Sequence, residues 1–218
     1  DHVVHLRLDA SGHIELVGRR GDGSGSALVL NAPLVPGGDV LDFLLAPAGD
    51  LVLYRADALQ DGVPELFAVS TRGGRVIRVS AAGDVEPDYV LGTDGRSVYF
   101  RERVAPGTSE LFRGSVAGRT PLRLCSPHLA GRSVLEFKLG ADQVHVVYRA
   151  DSRVNNVFEL FVAPADGSRA PQRLGPDLAV GVVRSFEFTP DLTRVVFRAD
   201  AIVWGRVELF SSALDCSG

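Results

Sequence analysis

The chain has 218 residues, 45% of them apolar, with a net charge of −4 and 23% charged residues. That is ample apolar material for a buried core, and the acidic balance leaves no basic footprint for nucleic acid. No apolar run reaches the ~18 residues a membrane helix needs, and no signal-peptide pattern opens the chain.

The chain begins at Asp1 and contains no methionine, which reads as a processed product or a domain cut from a longer protein. Its opening stretch, "HLRLDASGHIELV", is a faint first copy of a pattern that then recurs four times. The second copy reads "VLDFLLAP", "DLVLYRAD", "ELFAVS" and "RVIRVS", four short β-branched and apolar runs bounded by Gly, Pro and Asp. Aromatic-Arg pairs fall at Tyr54-Arg55, Phe100-Arg101, Tyr148-Arg149 and Phe197-Arg198, and the word ELF starts at Glu65, Glu110, Glu159 and Glu208, in step at intervals of 45 to 49 residues. In the first copy Arg7 and Glu15 hold the corresponding places. No stretch carries a sustained helical period. The chain is therefore predicted to be all-β.

A four-stranded meander repeating at roughly 45 residues is the signature of a β-propeller blade. Units at 1–32, 38–80, 86–125, 133–175 and 183–214 predict a single propeller domain of about five blades, because a blade buries its faces only against neighbours. The first unit lacks an inner strand and the last stops after its third. A five-bladed ring with two short blades fits this count and leaves fewer open edges. The alternative is a fragment of a larger ring, completed by a missing part of the chain or by another copy.

The stretch "VLEFKLGADQVHVVYRADSRVNNVFELFVAPADGSRAPQRL" resembles the TolB-like, or PD40, propeller repeat, and residues 40–210 fit that repeat in four consecutive copies. The Pro-Asp-Gly turn of the family is degenerate here: Ala48-Gly49, Thr93-Asp94-Gly95, Ala141-Asp142-Gln143 and Pro190-Asp191-Leu192. The resemblance implies a propeller outside the cytoplasm, periplasmic or secreted, and carries no catalytic motif.

If the turns at Ala48-Gly49, Asp94-Gly95 and Asp142-Gln143 are two-residue hairpins, Asp42 faces Arg55, Asp88 faces Arg101 and Glu136 faces Arg149. In the last unit Ser185 faces Arg198. A loop of about five residues after the Arg would place Arg55 opposite Glu65, Arg149 opposite Glu159 and Arg198 opposite Glu208, with Arg101 and Glu110 slightly offset. The expectation is an acid–Arg–acid row across three strands, with the guanidinium fork serving two carboxylates. Recurrence in every unit favours blade fasteners over a ring of acids, Asp42, Asp88 and Glu136, gripping a cation or basic ligand.

Little else points to chemistry. His2, His5 and His13 lie near Asp9, but His2 and His5 point to opposite faces of a strand; His128 and His145 stand apart. "RGDGSGS" at 20–26 has no following helix or lysine for a phosphate loop, and its Arg20-Gly21-Asp22 triplet is short enough to arise by chance. No G-x-S-x-G elbow appears. Cys125 and Cys216 form neither a disulfide framework nor a metal set. Asp57, Asp61, Asp151 and Asp200 are weak candidates for a hard cation such as calcium, with turn formation the simpler reading. Functional asymmetry concentrates in the loops between the two words. Trp204 and Arg206 lie in the last, and Asn155, Asn156 and Phe158 in the one before; an exposed aromatic beside arginine suits protein contact.

These features predict a non-enzymatic scaffold that binds a protein or peptide through one rim, with no cofactor, no catalytic residue, no nucleic-acid partner and no membrane insertion. The alternatives are an accessory propeller of a larger prolyl-peptidase-like hydrolase and a cation- or sugar-binding, lectin-like module.

Overall fold

The computed structural model describes residues 2–81, 83–127, 131–175 and 181–214. All regular structure in them is β, arranged in five antiparallel sheets that follow one another along the chain. The first contains β1 (His2–Leu8), β2 (Ile14–Arg20) and β3 (Leu28–Val29). The second runs β4 (Val40–Leu45), β5 (Leu51–Ala56), β6 (Glu65–Ser70) and β7 (Ile77–Arg78). The third comprises β8 (Asp84–Val85), β9 (Val90–Leu91), β10 (Ser97–Ala105), β11 (Thr108–Ser115) and β12 (Leu122–Arg123); β8 and β9 both pair with β10. Pro87 sits between β8 and β9, and its missing N–H breaks the ladder there. The fourth sheet is β13 (Val134–Leu139), β14 (His145–Ala150), β15 (Glu159–Pro164) and β16 (Gln172–Leu174); the fifth is β17 (Val183–Phe188), β18 (Arg194–Ala199) and β19 (Glu208–Ala213). The chain divides into two compact units, residues 1–102 with 114–121 and residues 103–113 with 122–218.

Turn chemistry sets the pairing of the first two full-length strands in each unit. The turns close with hydrogen bonds from Gly49 N to Ala46 O, Gly95 N to Gly92 O, Gln143 N to Gly140 O and Leu192 N to Thr189 O, at 2.8–3.0 Å. The fourth residue of each is left-handed, with φ of 72° at Gly49, 63° at Gly95, 60° at Gln143 and 56° at Leu192. Each turn is longer than the two-residue hairpin expected, yet it leaves the register where that hairpin would have put it. Asp42 faces Arg55, Glu136 faces Arg149 and Ser185 faces Arg198.

The pairing of the second strand with the third corrects the sequence expectation. Arg55 faces Leu66, not Glu65; Arg149 faces Leu160, not Glu159; and Arg198 faces Leu209, not Glu208. A slip of one residue moves every side chain to the other face of a sheet. What the true register aligns is the aromatic residue of the first word with the Phe of the second. Tyr54 stacks on Phe67 and Tyr148 on Phe161 with centroids 5.3 Å apart, and Phe197 on Phe210 at 5.5 Å. Such cross-strand aromatic pairs stabilise by about 0.5–1.5 kcal/mol beyond their area, so apolar packing and not charge chose the register.

Each unit holds its own core. In the first, Leu16, Leu30, Val40, Val52, Tyr54 and Phe67 cluster, and the buried Tyr54 hydroxyl accepts a hydrogen bond from the Ala32 amide at 3.0 Å. In the second, Val147, Leu160, Val162, Phe186, Val195 and Phe197 do the same. Cys125 is buried and its Sγ accepts from the Leu111 amide at 3.3 Å. Cys216 and His128 lie outside the described residues.

Candidate functional site

The repeated charges form two separate systems instead of one three-strand row. In the first, Arg55 donates through Nε and Nη2 to Asp42 Oδ2 at 2.9 and 2.6 Å, and through Nη1 to the Val85 carbonyl at 2.7 Å. Arg101 Nε reaches Asp88 Oδ2 at 2.8 Å. Arg149 Nε lies 3.0 Å from Glu136 Oε1, and its Nη1 donates to the Val183 carbonyl at 2.8 Å. Val85 and Val183 start the following sheet, and their amides donate to the Pro64 and Phe158 carbonyls at 2.8 and 2.7 Å. Arg55 and Arg149 thus join their own sheet to the next. In the second system the ELF glutamates turn to the fourth strand: Arg78 is 3.6 Å from Glu65, Arg123 3.0 Å from Glu110 and Arg173 3.2 Å from Glu159. Burial pushes Glu65 above the usual carboxylate range, with Arg78 opposing it in part. The fourth-strand arginines, 13 or 14 residues after each Glu, are a third recurring element that the reading of the two words passed over.

The weak metal candidates are backbone clasps. Asp57 Oδ1 accepts from the Asp39 amide at 2.5 Å and Oδ2 from Gly62 at 2.9 Å. Asp151 accepts from Ser133 at 2.6 Å and Asn156 at 3.2 Å. Asp200 accepts from Val182 at 2.6 Å and Gly205 at 3.2 Å, and Arg184 is 3.1 Å away. The Val182 amide is the main cause that holds Asp200 below the usual carboxylate range. In the third unit Glu102 has this role, accepting from the Ala81 and Gly83 amides. Among the described residues no three His, Cys, Asp or Glu converge as a metal site. Asp61 is exposed in its loop. His13 Nδ1 contacts the Gly38 carbonyl at 2.8 Å, and His2 and His5 face Arg20 and Val17 along β1.

The clasps anchor the loops that carry the binding candidates. In the loop after Asp151, Asn155 and Asn156 are exposed, whereas Phe158 is half-buried with the Arg149 guanidinium 5.8 Å over its ring. In the loop after Asp200, Ile202, Val203 and Trp204 are 72%, 51% and 77% exposed. Arg206 closes that loop through its amide to the Val203 carbonyl at 2.9 Å, and its side chain lies 3.5 Å from Glu208. Trp204 therefore does not fill space over a sheet face. Backbone clasps at the root and three consecutive outward apolar side chains at the tip give this loop the composition of a contact surface.

Sheet order, register and repeat together define a TolB-like β-propeller fold. The chain is similar to a solved structure of a putative TolB from Agrobacterium tumefaciens, with 17% identity and a TM-score of 0.51 over 82% of this chain and 60% of that one. It is similar as well to a puromycin-hydrolyzing peptidase from Mycobacterium tuberculosis, with 13% identity and a TM-score of 0.57 over 95% and 35% of the two chains. An oligogalacturonate lyase in complex with manganese matches with 12% identity and a TM-score of 0.52 over 98% and 59%. The chain thus spans 35% to 60% of the length of these structures. No family model and no curated protein matches it.

Proposed function

We infer that the chain is a non-catalytic propeller scaffold that binds a protein or peptide partner through the loops joining second and third strands, acting outside the cytoplasm. The observation that carries this reading is the Ile202-Val203-Trp204 tip, an apolar strip on a loop whose base is pinned by the buried Asp200. A pre-ordered loop binds at lower entropic cost than a mobile one. Aromatic anchors with a neighbouring arginine are the residues that dominate binding energy at protein contacts. The extracytoplasmic placement rests on the resemblance to TolB-like repeats.

The test is selection of displayed peptides on the wild-type chain, followed by titration against Trp204→Ala and Ile202→Asp. Loss of about tenfold or more in affinity at unchanged melting temperature supports the rim. Peptides that bind both variants as tightly as wild type sink it. A second reading, an accessory propeller beside a hydrolase, draws on the fold shared with the larger peptidase. Finding a hydrolase domain in the full-length product would favour that reading.

A further inference from the structure

At the end of the first sheet away from its Asp9–His13 hairpin lies a cleft of about 890 Å³ whose lining includes His2, Arg19, Arg20, Asp22, Thr71 and Arg72. Among the described residues Asp22 is the single acid of that lining against three arginines, in a chain whose net charge is −4. Asp22 is turned to its own loop, where Oδ1 accepts from the Ser24 amide at 2.8 Å. Several arginines elsewhere in this protein are neutralised: Arg7, Arg55, Arg78, Arg101, Arg123 and Arg149 each stand against a carboxylate. Arg19, Arg20 and Arg72 have no such partner among the described residues. All three contribute to the lining of one concavity, where their like charges favour an anion.

The cleft is held in shape from both sides. A Cβ at Gly18 would lie 2.9 Å from Leu30 Cδ1 and 3.1 Å from the Thr71 carbonyl oxygen, so bare backbone in β2 is what lets the Thr71–Arg72 turn approach. Thr71 is buried, with its amide donating to the Asp50 carbonyl and its hydroxyl to the Gly49 carbonyl, both at 3.0 Å. The Arg72 amide donates to Ser70 Oγ at 3.2 Å. Opposite, the Gly23 amide closes a turn onto the Arg20 carbonyl at 3.1 Å, and Arg19 Nη2 lies 3.8 Å from where a Cβ on Gly23 would stand.

We propose that this cleft binds a small polyanion, a ligand carrying two or more phosphate, sulfate or carboxylate groups. The guanidinium fork pairs with such oxyanions through two parallel hydrogen bonds. The volume falls in the range of small-molecule sites, about 300–1,000 Å³, and exceeds the need of a single phosphate. The site belongs to the first unit and to the turn side of its sheets, so it is distinct from the Trp204 loop.

The experiment is calorimetric titration of the whole chain at low ionic strength with pyrophosphate and, separately, citrate, the two arms distinguishing phosphoryl from carboxylate ligands. Wild type is expected to give saturable binding that weakens with salt. Arg19→Gln and Arg72→Gln each lower the affinity about tenfold, and the double variant abolishes it. Arg169→Gln, an exposed arginine of the second unit, leaves it unchanged. Gly18→Ala weakens it with every charge retained, because Thr71 must withdraw. Equal affinity in wild type and Arg72→Gln, an equal loss in Arg169→Gln, or no saturable binding of either anion below about 10 mM overturns the proposal.

Discussion

Arg55→Lys tests whether the repeated arginines fasten one sheet to the next. The wild-type guanidinium spends two N–H groups on Asp42 and a third on the Val85 carbonyl of the following sheet. Asp42 is held from its other side by the Tyr89 hydroxyl at 2.8 Å, and burial, then the Asp42 charge, raises the Tyr89 phenol well above its ordinary value. A lysine ammonium can stay beside Asp42 but cannot also span to Val85. Losing the donor to a buried carbonyl costs about 1–3 kcal/mol. The weakened pair adds under about 1 kcal/mol, because Asp42 is 37% exposed and screened by solvent. The expected loss is about 1–4 kcal/mol, a fall in melting temperature of about 2–16 °C for a chain of this size. Arg198→Lys is the built-in control. Arg198 occupies the same place in the fifth sheet, but it faces Ser185 and is exposed, so its replacement should cost under about 0.5 kcal/mol. Urea denaturation followed by circular dichroism measures both. Equal stability of the two variants would refute the fastener argument.

The Asp clasps are expected to matter as much. Asp151→Ala strands the Ser133 and Asn156 amides and should cost about 2–3 kcal/mol, with Asp151→Asn intermediate because one acceptor remains; chemical denaturation reads both, and a neutral Asp151→Ala refutes the clasp. Leu192→Gly and Gln143→Gly relieve left-handed backbone at non-glycine residues and should each stabilise by about 0.5–1 kcal/mol, measured as a rise in denaturation midpoint. Burial pushes the Cys125 thiol up to about 12, so its thiolate fraction at pH 8 is on the order of one in ten thousand; a disulfide reagent should label it only as the chain unfolds, and rapid labelling of the folded chain would contradict its burial. Because Asp57, Asp151 and Asp200 already hold backbone amides, millimolar calcium should leave the melting curve unmoved, and a calcium-dependent rise would reopen the cation-binding reading.

Much of the fold was legible because the repeat is. Alternating apolar runs, Gly- and Asp-marked turns and a period of 45 to 49 residues define the strands and the sheet order without any long-range information. The pairing of Asp42 with Arg55 and of Glu136 with Arg149 was readable because a short turn of fixed geometry dictates which residues face one another. Arg55 against Glu65 was misread because residues 57–64 separate the strands, and a loop that long fixes no register. The stacking of Tyr54 on Phe67 decides it instead. The fourth-strand arginines were present in the sequence as an Arg 13 or 14 residues after Glu65, Glu110 and Glu159, a signal hidden by the short, variable strands that carry them.

The sequence alone therefore determined local matters: strand identity, turn position and the repeat. Tertiary structure decided which charges meet and which stay bare. Glu65 turned toward Arg78 because aromatic packing claimed the register. Arg72 came to the cleft of Arg19 and Arg20, some fifty residues away in the chain, because Gly18 has no side chain to keep Thr71 at a distance. Both outcomes depend on contacts between strands that no local pattern encodes, since backbone turns set neighbours along the chain and only packing sets neighbours across it.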